Sequence, residues 1–126
     1  MAFNPEMDVL IVDDASAMRR IIRGLLKELG FKHMRDAENG QLALDELARK
    51  KPGLVVLDWN MPVMSGIELL RAMRANDELK DIRVLMVSAE AKKENIVEAI
   101  QAGVSNYIIK PFNAATLQEK LNTIFP

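Results

Sequence analysis

The stretch LVVLDWNMP, residues 54–62, joins an unbroken apolar run to a single aspartate. A short continuous run that is rich in β-branched residues predicts a strand buried on both faces. Similar runs occur as VLIV at 9–12, VLMV at 84–87 and YII at 107–109. HMRDA at 33–37 is more polar, which suits a strand at the edge of a sheet. The chain is therefore predicted to contain five short strands.

Amphipathic stretches separate these runs and predict helices. The first helix ends at Gly30, a residue that commonly stops helices. Its predicted apolar face comprises Met18, Ile21, Ile22, Leu25, Leu26 and Leu29. Ser65 and Glu68 form a capping-box pattern at the start of the third helix. The fourth is predicted over about residues 92–102, and the last begins after Asn113 as its N-cap. Repeated strand–helix alternation implies a doubly wound parallel sheet with right-handed crossovers.

The composition is that of one ordinary domain without covalent staples. The chain has 126 residues and no cysteine, which excludes disulfides and thiolate metal sites. Lys and Arg total 17 against 18 Asp and Glu, which argues against nucleic-acid binding driven by bulk charge. The start lacks the pattern of a signal peptide, and no apolar run approaches the ~20 residues that span a bilayer. A cytoplasmic protein without membrane or nucleic-acid partners is expected.

Polar residues stand at the ends of four predicted strands. Asp13 and Asp14 come directly after the first apolar run, and Asp58 comes directly after the third. Ser88 follows the fourth run and Lys110 follows the fifth. Because the carboxyl ends of parallel strands share one edge, where ligands of open α/β sheets bind, these side chains are expected to lie close together.

Their chemistry predicts a site for a hard divalent cation. Three close carboxylates repel one another, and Lys110 supplies only one compensating charge. All the donors are oxygens, which favours Mg²⁺ and, beside it, a phosphoryl group. Carboxylates after strands also serve as turn formers and helix caps. Complementary chemistry at four strand ends nevertheless favours a functional site.

Four motifs at these strand ends resemble the receiver domain of two-component response regulators. They are VDD at 12–14, LDWNMP at 57–62, SAE at 88–90 and KPF at 110–112. The resemblance extends over about residues 9–125, and longer stretches look like the single-domain regulators of chemotaxis. It implies a flavodoxin-like (βα)5 three-layer sandwich with strand order 2-1-3-4-5. It also implies a single receiver domain over residues 1–126 with no output domain.

The resemblance assigns the phosphoryl chemistry to three side chains. Asp58 would accept the phosphoryl group of a phosphohistidine on a partner histidine kinase and form an acyl phosphate. Lys110 and the Ser88 hydroxyl would contact the phosphoryl oxygens. The chain would then catalyse its own phosphorylation and dephosphorylation without being a conventional enzyme. The family also implies a cis peptide bond between Lys110 and Pro111.

The resemblance further implies how Mg²⁺ is held and how the acyl phosphate is lost. Asp14 and Asp58 would bind the ion through their side chains, Asn60 through its backbone carbonyl, and Asp13 largely through water. Asn60 and Glu90 would tune attack of water on the acyl phosphate. The acyl phosphate would be lost by autodephosphorylation, with or without the help of a dedicated phosphatase.

A coupled hydroxyl–aromatic switch is implied for the signal. Ser88 would move towards the phosphoryl oxygens, and Tyr107 would rotate inward, as a shift between two populations. Strand chemistry alone indicates instead that Tyr107 simply packs on its strand with its hydroxyl in water. A face made by the fourth helix, fifth strand and fifth helix would bind the flagellar motor switch and control rotation. The matching positions are Ala91, Lys93, Ile96, Tyr107 and Lys120.

Several residues receive ordinary structural interpretations. His33 is predicted to be a surface residue, and Trp59 to be half exposed beside the site. Met18, Met73 and Met86 are predicted to pack in the core. Lysines such as Lys93 on helices are usually only solvated surface. A monomer is expected.

Three other functions are compatible with parts of the pattern. A phosphohydrolase of the aspartyl-phosphate type would place a second acid two residues after Asp58, where this chain has Asn60. A flavin carrier would need a Ser/Thr/Gly-rich phosphate loop, whereas DDASAMRR at 13–20 begins with two acids. A scaffold without phosphoryl chemistry would be expected to have lost Asp58 or Lys110, and both are present.

Overall fold

Five strands and five helices alternate along the chain in a computed structural model that describes residues 3–126. Met1 and Ala2, the first residues of the predicted domain, lie outside the described part. The strands are Asp8–Val12 (β1), His33–Ala37 (β2), Leu54–Asp58 (β3), Arg83–Ser88 (β4) and Asn106–Ile109 (β5). The helices are Ser16–Glu28 (α1), Gly40–Arg49 (α2), Gly66–Arg74 (α3), Lys93–Ala102 (α4) and Ala114–Ile124 (α5).

The strands form one parallel sheet of order β2-β1-β3-β4-β5. The predicted (βα)5 fold and strand order are therefore confirmed, as is the edge position of β2. Helices α1 and α5 cover one face of the sheet, and α2, α3 and α4 cover the other. Both faces are buried, which explains why the inner strands read as continuous apolar runs. Within residues 3–126, every helix falls short of the length and apolarity needed to cross a membrane.

Two strands continue one residue beyond their apolar runs. Asp58 and Ser88 are the last residues of β3 and β4, although the sequence predicted them just after the strands. The cause is strand pairing, since Asp58 lies opposite Val87 and Ser88 lies opposite Ile109. Apolarity marks which residues are covered by helices, whereas the ladder of hydrogen bonds decides where a strand ends.

The predicted helix ends are confirmed by the local geometry. Ser65 and Glu68 form the reciprocal capping box of α3. The side chain of Asn113 accepts a hydrogen bond from the backbone of Thr116 at the start of α5. Gly103 ends α4 with a φ of 96°, a left-handed conformation that glycine adopts without steric cost.

The apolar face predicted for α1 is wrong at Ile21, which is 53% exposed. Ile22 and Leu26 are the buried residues of this helix. Met18, predicted to lie in the core, is half-buried at its margin, whereas Met73 and Met86 are fully buried. Ile21 lies about 100° round the helix from the buried Ile22, at the solvent-exposed margin of the apolar face.

Arg35 joins three elements at the β2 edge of the sheet. Its guanidinium donates to Asp8 Oδ2 of β1 at 2.6 and 2.9 Å. It also donates to Glu46 Oε1 of α2 at 2.9 Å and to the backbone carbonyl of Lys50 at 2.6 Å. The Arg35 and Asp8 side chains are only 14% and 13% exposed. Arg35 is therefore the cation that balances the Asp8 carboxylate at this largely buried position.

We expect Arg35→Met to lower the free energy of unfolding by about 2–3 kcal/mol, because it leaves Asp8 largely buried without its cation. Arg71→Met is the matched control, since it removes an exposed pair with Glu98 and should cost less than about 1 kcal/mol. Urea unfolding of both variants measures the difference. Equal losses would contradict a special role for Arg35.

Candidate functional site

Three aspartates meet at the carboxyl edge of the sheet. One carboxylate oxygen from each of Asp13, Asp14 and Asp58 lies within 4.8 Å of the others. The neighbouring strands β1 and β3 are aligned so that Val12 pairs with Leu57. The residue that follows each of these two in the sequence is an aspartate. Asp13 is 1% exposed and Asp58 is 4% exposed, whereas Asp14 is open to solvent. The predicted acid cluster is thus present.

Lys110 brings a positive charge to this cluster from the end of β5. Its Nζ lies 3.0 Å from Asp58 Oδ1 and 3.6 Å from Asp13 Oδ2. Its backbone N–H donates to the Ser88 carbonyl at 2.9 Å, which fixes the start of the loop. The peptide bond between Lys110 and Pro111 is cis, as predicted.

The electrostatics of the edge oppose ionisation of Asp58. Burial raises the pKa of Asp58, and repulsion by Asp13 and Asp14 adds to this, whereas the Lys110 hydrogen bond lowers it. Burial alone would lower the pKa of Lys110. The pKa is nevertheless raised overall, because Lys110 donates a hydrogen bond to Asp58 and is attracted by the charges of Asp58 and Asp13. Lys110 therefore stays protonated beside a carboxylate that is costly to ionise.

Asp13 has an unsatisfied oxygen inside this site. Its Oδ1 accepts the backbone N–H of Ala15 at 2.9 Å, whereas its buried Oδ2 makes no hydrogen bond within residues 3–126 and lies 3.6 Å from the Lys110 ammonium. A buried charged acceptor without a donor is unfavourable, and a bound cation or its water shell would satisfy it. The donor set consists of carboxylate oxygens, which fits Mg²⁺ better than softer metals. The site therefore fits the predicted cofactor.

Arg19 on α1 supports the loop that carries Asp13. Its Nη1 donates to the Asp13 backbone carbonyl at 2.7 Å, and its Nε lies 3.5 Å from Asp36 Oδ2. The arginine side chain is 17% exposed, whereas Arg23, which also pairs with Asp36, is 33% exposed. Sequence reasoning missed Arg19, because an arginine on the polar side of an amphipathic helix looks like solvated surface.

Gly66 is a second residue that the sequence analysis missed. A Cβ at this position would overlap the backbone carbonyl oxygen of Asp58. The Gly66 N–H also donates to the Trp59 carbonyl at 2.8 Å. The glycine at the start of α3 was the available signal, because close backbone approach is a common reason for glycine. This contact holds the start of α3 against the end of β3.

A chain of hydrogen bonds links Ser88 to Tyr107. The fully buried Ser88 Oγ accepts the backbone N–H of Glu90 at 3.0 Å. The Glu90 carbonyl in turn accepts the Tyr107 hydroxyl at 3.0 Å. Tyr107 is 7% exposed and meets the half-buried Trp59 edge-on at 6.3 Å. The interpretation that left this hydroxyl in water is therefore wrong, because the β4–α4 loop offers it a carbonyl. The ring lies inward already.

The residues predicted to bind a partner divide into two groups. Ile96, Tyr107 and Lys120 line a cavity of about 450 Å³ between α4, β5 and α5. Ala91, in the loop before α4, and Lys93, the first residue of α4, are exposed and do not line this cavity.

Other predicted positions are found where the sequence placed them. Asn60 is exposed in the loop after β3, and Glu90 is half-buried in the loop after β4. His33 is exposed and lies 3.2 Å from Glu6, as expected of a surface residue. None of these positions contradicts the proposed arrangement of the carboxyl edge.

The fold and this edge together define a class, namely flavodoxin-like α/β domains with a cluster of aspartates and a lysine at the carboxyl edge of the sheet. The chain belongs to the response regulator receiver domain family, whose model matches residues 9–122. The family resemblance of the four strand-end motifs is thereby confirmed.

Similar proteins and structures agree with this assignment. The chain is 56% identical to chemotaxis protein CheY-3 of Vibrio cholerae serotype O1, over 97% of this chain and 94% of that protein. It is 54% identical to chemotaxis protein CheY of Pseudomonas aeruginosa, over 94% and 96%. Among solved structures, Vibrio cholerae CheY4 superposes with a TM-score of 0.87 at 30% identity, covering 94% and 98%. The receiver domain of a Francisella response regulator gives 0.85 at 28% identity, covering 95% and 97%.

The raised pKa of Asp58 predicts that Asp58→Asn stabilises the fold at pH 7 without divalent cations. A carboxyl whose folded pKa exceeds its ordinary value of 3.8 destabilises the folded state when ionised. This penalty is complete above the folded pKa and disappears below 3.8, so the gain from the substitution should shrink as the pH falls through that window.

Urea unfolding across this pH range measures the effect. Asp77→Asn is the control, because that side chain is 97% exposed and its removal should change the unfolding free energy little. A loss of stability for Asp58→Asn at pH 7 would show that the Lys110 pair outweighs burial and repulsion.

Proposed function

We propose that this chain is a chemotaxis response regulator that accepts a phosphoryl group on Asp58 from a histidine kinase. The observation that carries the proposal is Asp58 itself, which is buried at the carboxyl edge with Lys110 at 3.0 Å and two further aspartates beside it. Membership of the receiver family and the names of its chemotaxis relatives support the same function.

The proposed transfer is a displacement at phosphorus. A carboxylate oxygen of Asp58 forms a bond to phosphorus while the phosphorus–nitrogen bond of the donor phosphohistidine breaks. The imidazole nitrogen keeps the electron pair of that bond, and the product on Asp58 is an acyl phosphate. Lys110 and the Ser88 hydroxyl would contact the phosphoryl oxygens, since Lys110 already binds Asp58 and Ser88 ends the adjacent strand.

The acid cluster would hold Mg²⁺ during this reaction. Asp14 and Asp58 would bind through carboxylates, Asn60 through its backbone carbonyl, and Asp13 largely through water. The unsatisfied Oδ2 of Asp13 supports this arrangement. When bound, Mg²⁺ offsets negative charge on the transferring group. The aspartates otherwise repel both each other and an incoming phosphate.

The signal would travel along the hydrogen bonds from Ser88 to Tyr107. A phosphoryl group adds about −1.5 to −2 charge and strong acceptor oxygens. Ser88 would turn towards these oxygens and alter its bond with the Glu90 backbone, whose carbonyl holds Tyr107. Because Tyr107 already lies inward, the proposed change concerns how firmly the ring is held in place.

The output would be binding of the flagellar motor switch at the cavity between α4, β5 and α5. Ile96, Tyr107 and Lys120 line this cavity, and Ala91 and Lys93 would extend the contact along α4. Hydrolysis of the acyl phosphate would end the signal. Asn60 and Glu90 would set its rate, with or without the help of a phosphatase.

Trp59 fluorescence tests the phosphorylation, because this half-buried ring directly follows Asp58. Titration with Mg²⁺ should change the emission, and acetyl phosphate should then cause a further change that decays as the donor is consumed. Asp58→Asn should abolish the second change, whereas Asp77→Asn should keep both. A Mg²⁺ response without a phosphodonor response in the wild type would exclude the proposed switch.

Arg19→Met should weaken Mg²⁺ binding about tenfold, because partners that orient a ligand commonly contribute this much. The physical reason is the lost hydrogen bond to the Asp13 carbonyl. Arg23→Met is the matched control, since it removes only a pair with Asp36 and should leave the affinity unchanged. The same Trp59 titration measures both. Equal affinities for the two variants would mean that Arg19 does not position this loop.

A further inference from the structure

Val63 is the most exposed large apolar residue in the described part of the chain. Its relative exposure is 98%, compared with 62% for Ile100 and 53% for Ile21. Its φ is +70°, which is the one positive φ outside glycine within residues 3–126. A β-branched residue rarely adopts this conformation, which costs on the order of 1–3 kcal/mol.

The surrounding loop holds Val63 in this conformation. The loop of residues 59–65 closes at its base, where the Gly66 N–H donates to the Trp59 carbonyl at 2.8 Å. Met61 is buried before Val63. The Met64 N–H donates to the Pro62 carbonyl at 2.8 Å, which makes Val63 the centre of a three-residue turn. Val63 therefore lies in solvent on a loop that is fixed by the buried Met61 before it and by the Gly66 hydrogen bond after it.

The loop differs in charge from the site at its base. Residues 59–65 include no charged side chain, although the acid cluster lies at the base of the loop. At 98% exposure the Val63 side chain adds almost nothing to the core. A single exposed apolar residue is ordinary. An exposed and strained one on an uncharged, anchored loop beside a reactive site indicates a contact for a partner.

We propose that Val63 is an apolar contact for the protein that delivers the phosphoryl group, namely the phosphohistidine-bearing domain of a histidine kinase. The inference rests on the proposed function of Asp58. Asp58 ends β3 at one base of the loop, and Gly66 at the other base packs against the Asp58 carbonyl. A macromolecular donor must bring its phosphorus within bonding distance of Asp58, and so its surface covers this edge and the loop beside it.

Val63 lies apart from the surface that is proposed to bind the motor switch. Val63 does not line the cavity between α4, β5 and α5, which belongs to later elements of the chain. A small donor such as acetyl phosphate has no surface that could reach the loop while its phosphorus meets Asp58. The contact should therefore distinguish a protein donor from a small one.

The test compares two donors on Val63→Asn, because asparagine tolerates positive φ and removes the apolar surface. The donors are acetyl phosphate and the isolated phosphohistidine-bearing domain of a chemotaxis histidine kinase. The ratio of the protein-donor rate to the acetyl phosphate rate, below saturation, should fall about tenfold when one valine contact is lost. Val97→Asn makes the same change at an exposed site on α4 and should keep the wild-type ratio.

Each other outcome would overturn the inference. Rates that stay at wild-type values with both donors, or no transfer from the protein donor to a wild type that accepts acetyl phosphate, mean that this donor does not dock on Val63. Equal slowing with both donors would show that the loop positions Asp58. A change in the sedimentation of Val63→Asn in the absence of any donor would show that Val63 contacts a second copy of the chain instead of a kinase domain. A wild type that accepts phosphate from neither donor would refute the proposed function itself.

Discussion

The register between β1 and β3 forces two buried aspartates against each other at the carboxyl edge of the sheet. Asp13 directly follows β1 and Asp58 ends β3, so the ladder that pairs Val12 with Leu57 brings both aspartates to the same place. Their repulsion is offset by Lys110, which reaches this point from the far edge strand β5. The apolar layers on both faces of the sheet stabilise the fold that keeps these charges together. The charged groups at this edge therefore lower the stability of the fold, and the same groups form its reactive site.

Two loops leave this edge and differ in chemistry. The loop after β3 is uncharged and presents Val63 to solvent, whereas the loop after β4 joins Ser88 to Tyr107 through the Glu90 backbone. By the inference on Val63 the first loop receives the protein donor, and in the proposed function the second loop carries the signal towards the cavity between α4, β5 and α5. Asp58 lies at the base of the first loop, in the strand beside Ser88. One phosphoryl group could thus be delivered on one side and be detected on the other.

Much of the fold and of the acid cluster could be predicted from the sequence. The unbroken apolar runs indicated strands that are covered on both faces, and alternation with helices indicated a parallel sheet. Parallel strands have only one carboxyl edge, so the polar residues at the ends of the runs had to meet there. The order of the strands could not be predicted in this way, because periodicity does not reveal which strands are neighbours. It came from the family resemblance, which rested on the four strand-end motifs.

The remaining features depend on contacts between residues that are distant in the chain. Arg19 supports Asp13 through a backbone carbonyl, and Ile21 is exposed because α1 packs through Ile22. Tyr107 lies inward because a carbonyl of another loop accepts its hydroxyl. Residue types and their spacing alone determined the strands, the helices and the list of reactive side chains, since these depend on local periodicity. Only the tertiary structure decided which polar atoms form hydrogen bonds and that one oxygen of Asp13 forms none among the described residues, because hydrogen bonding and burial depend on what other segments bring to the same place.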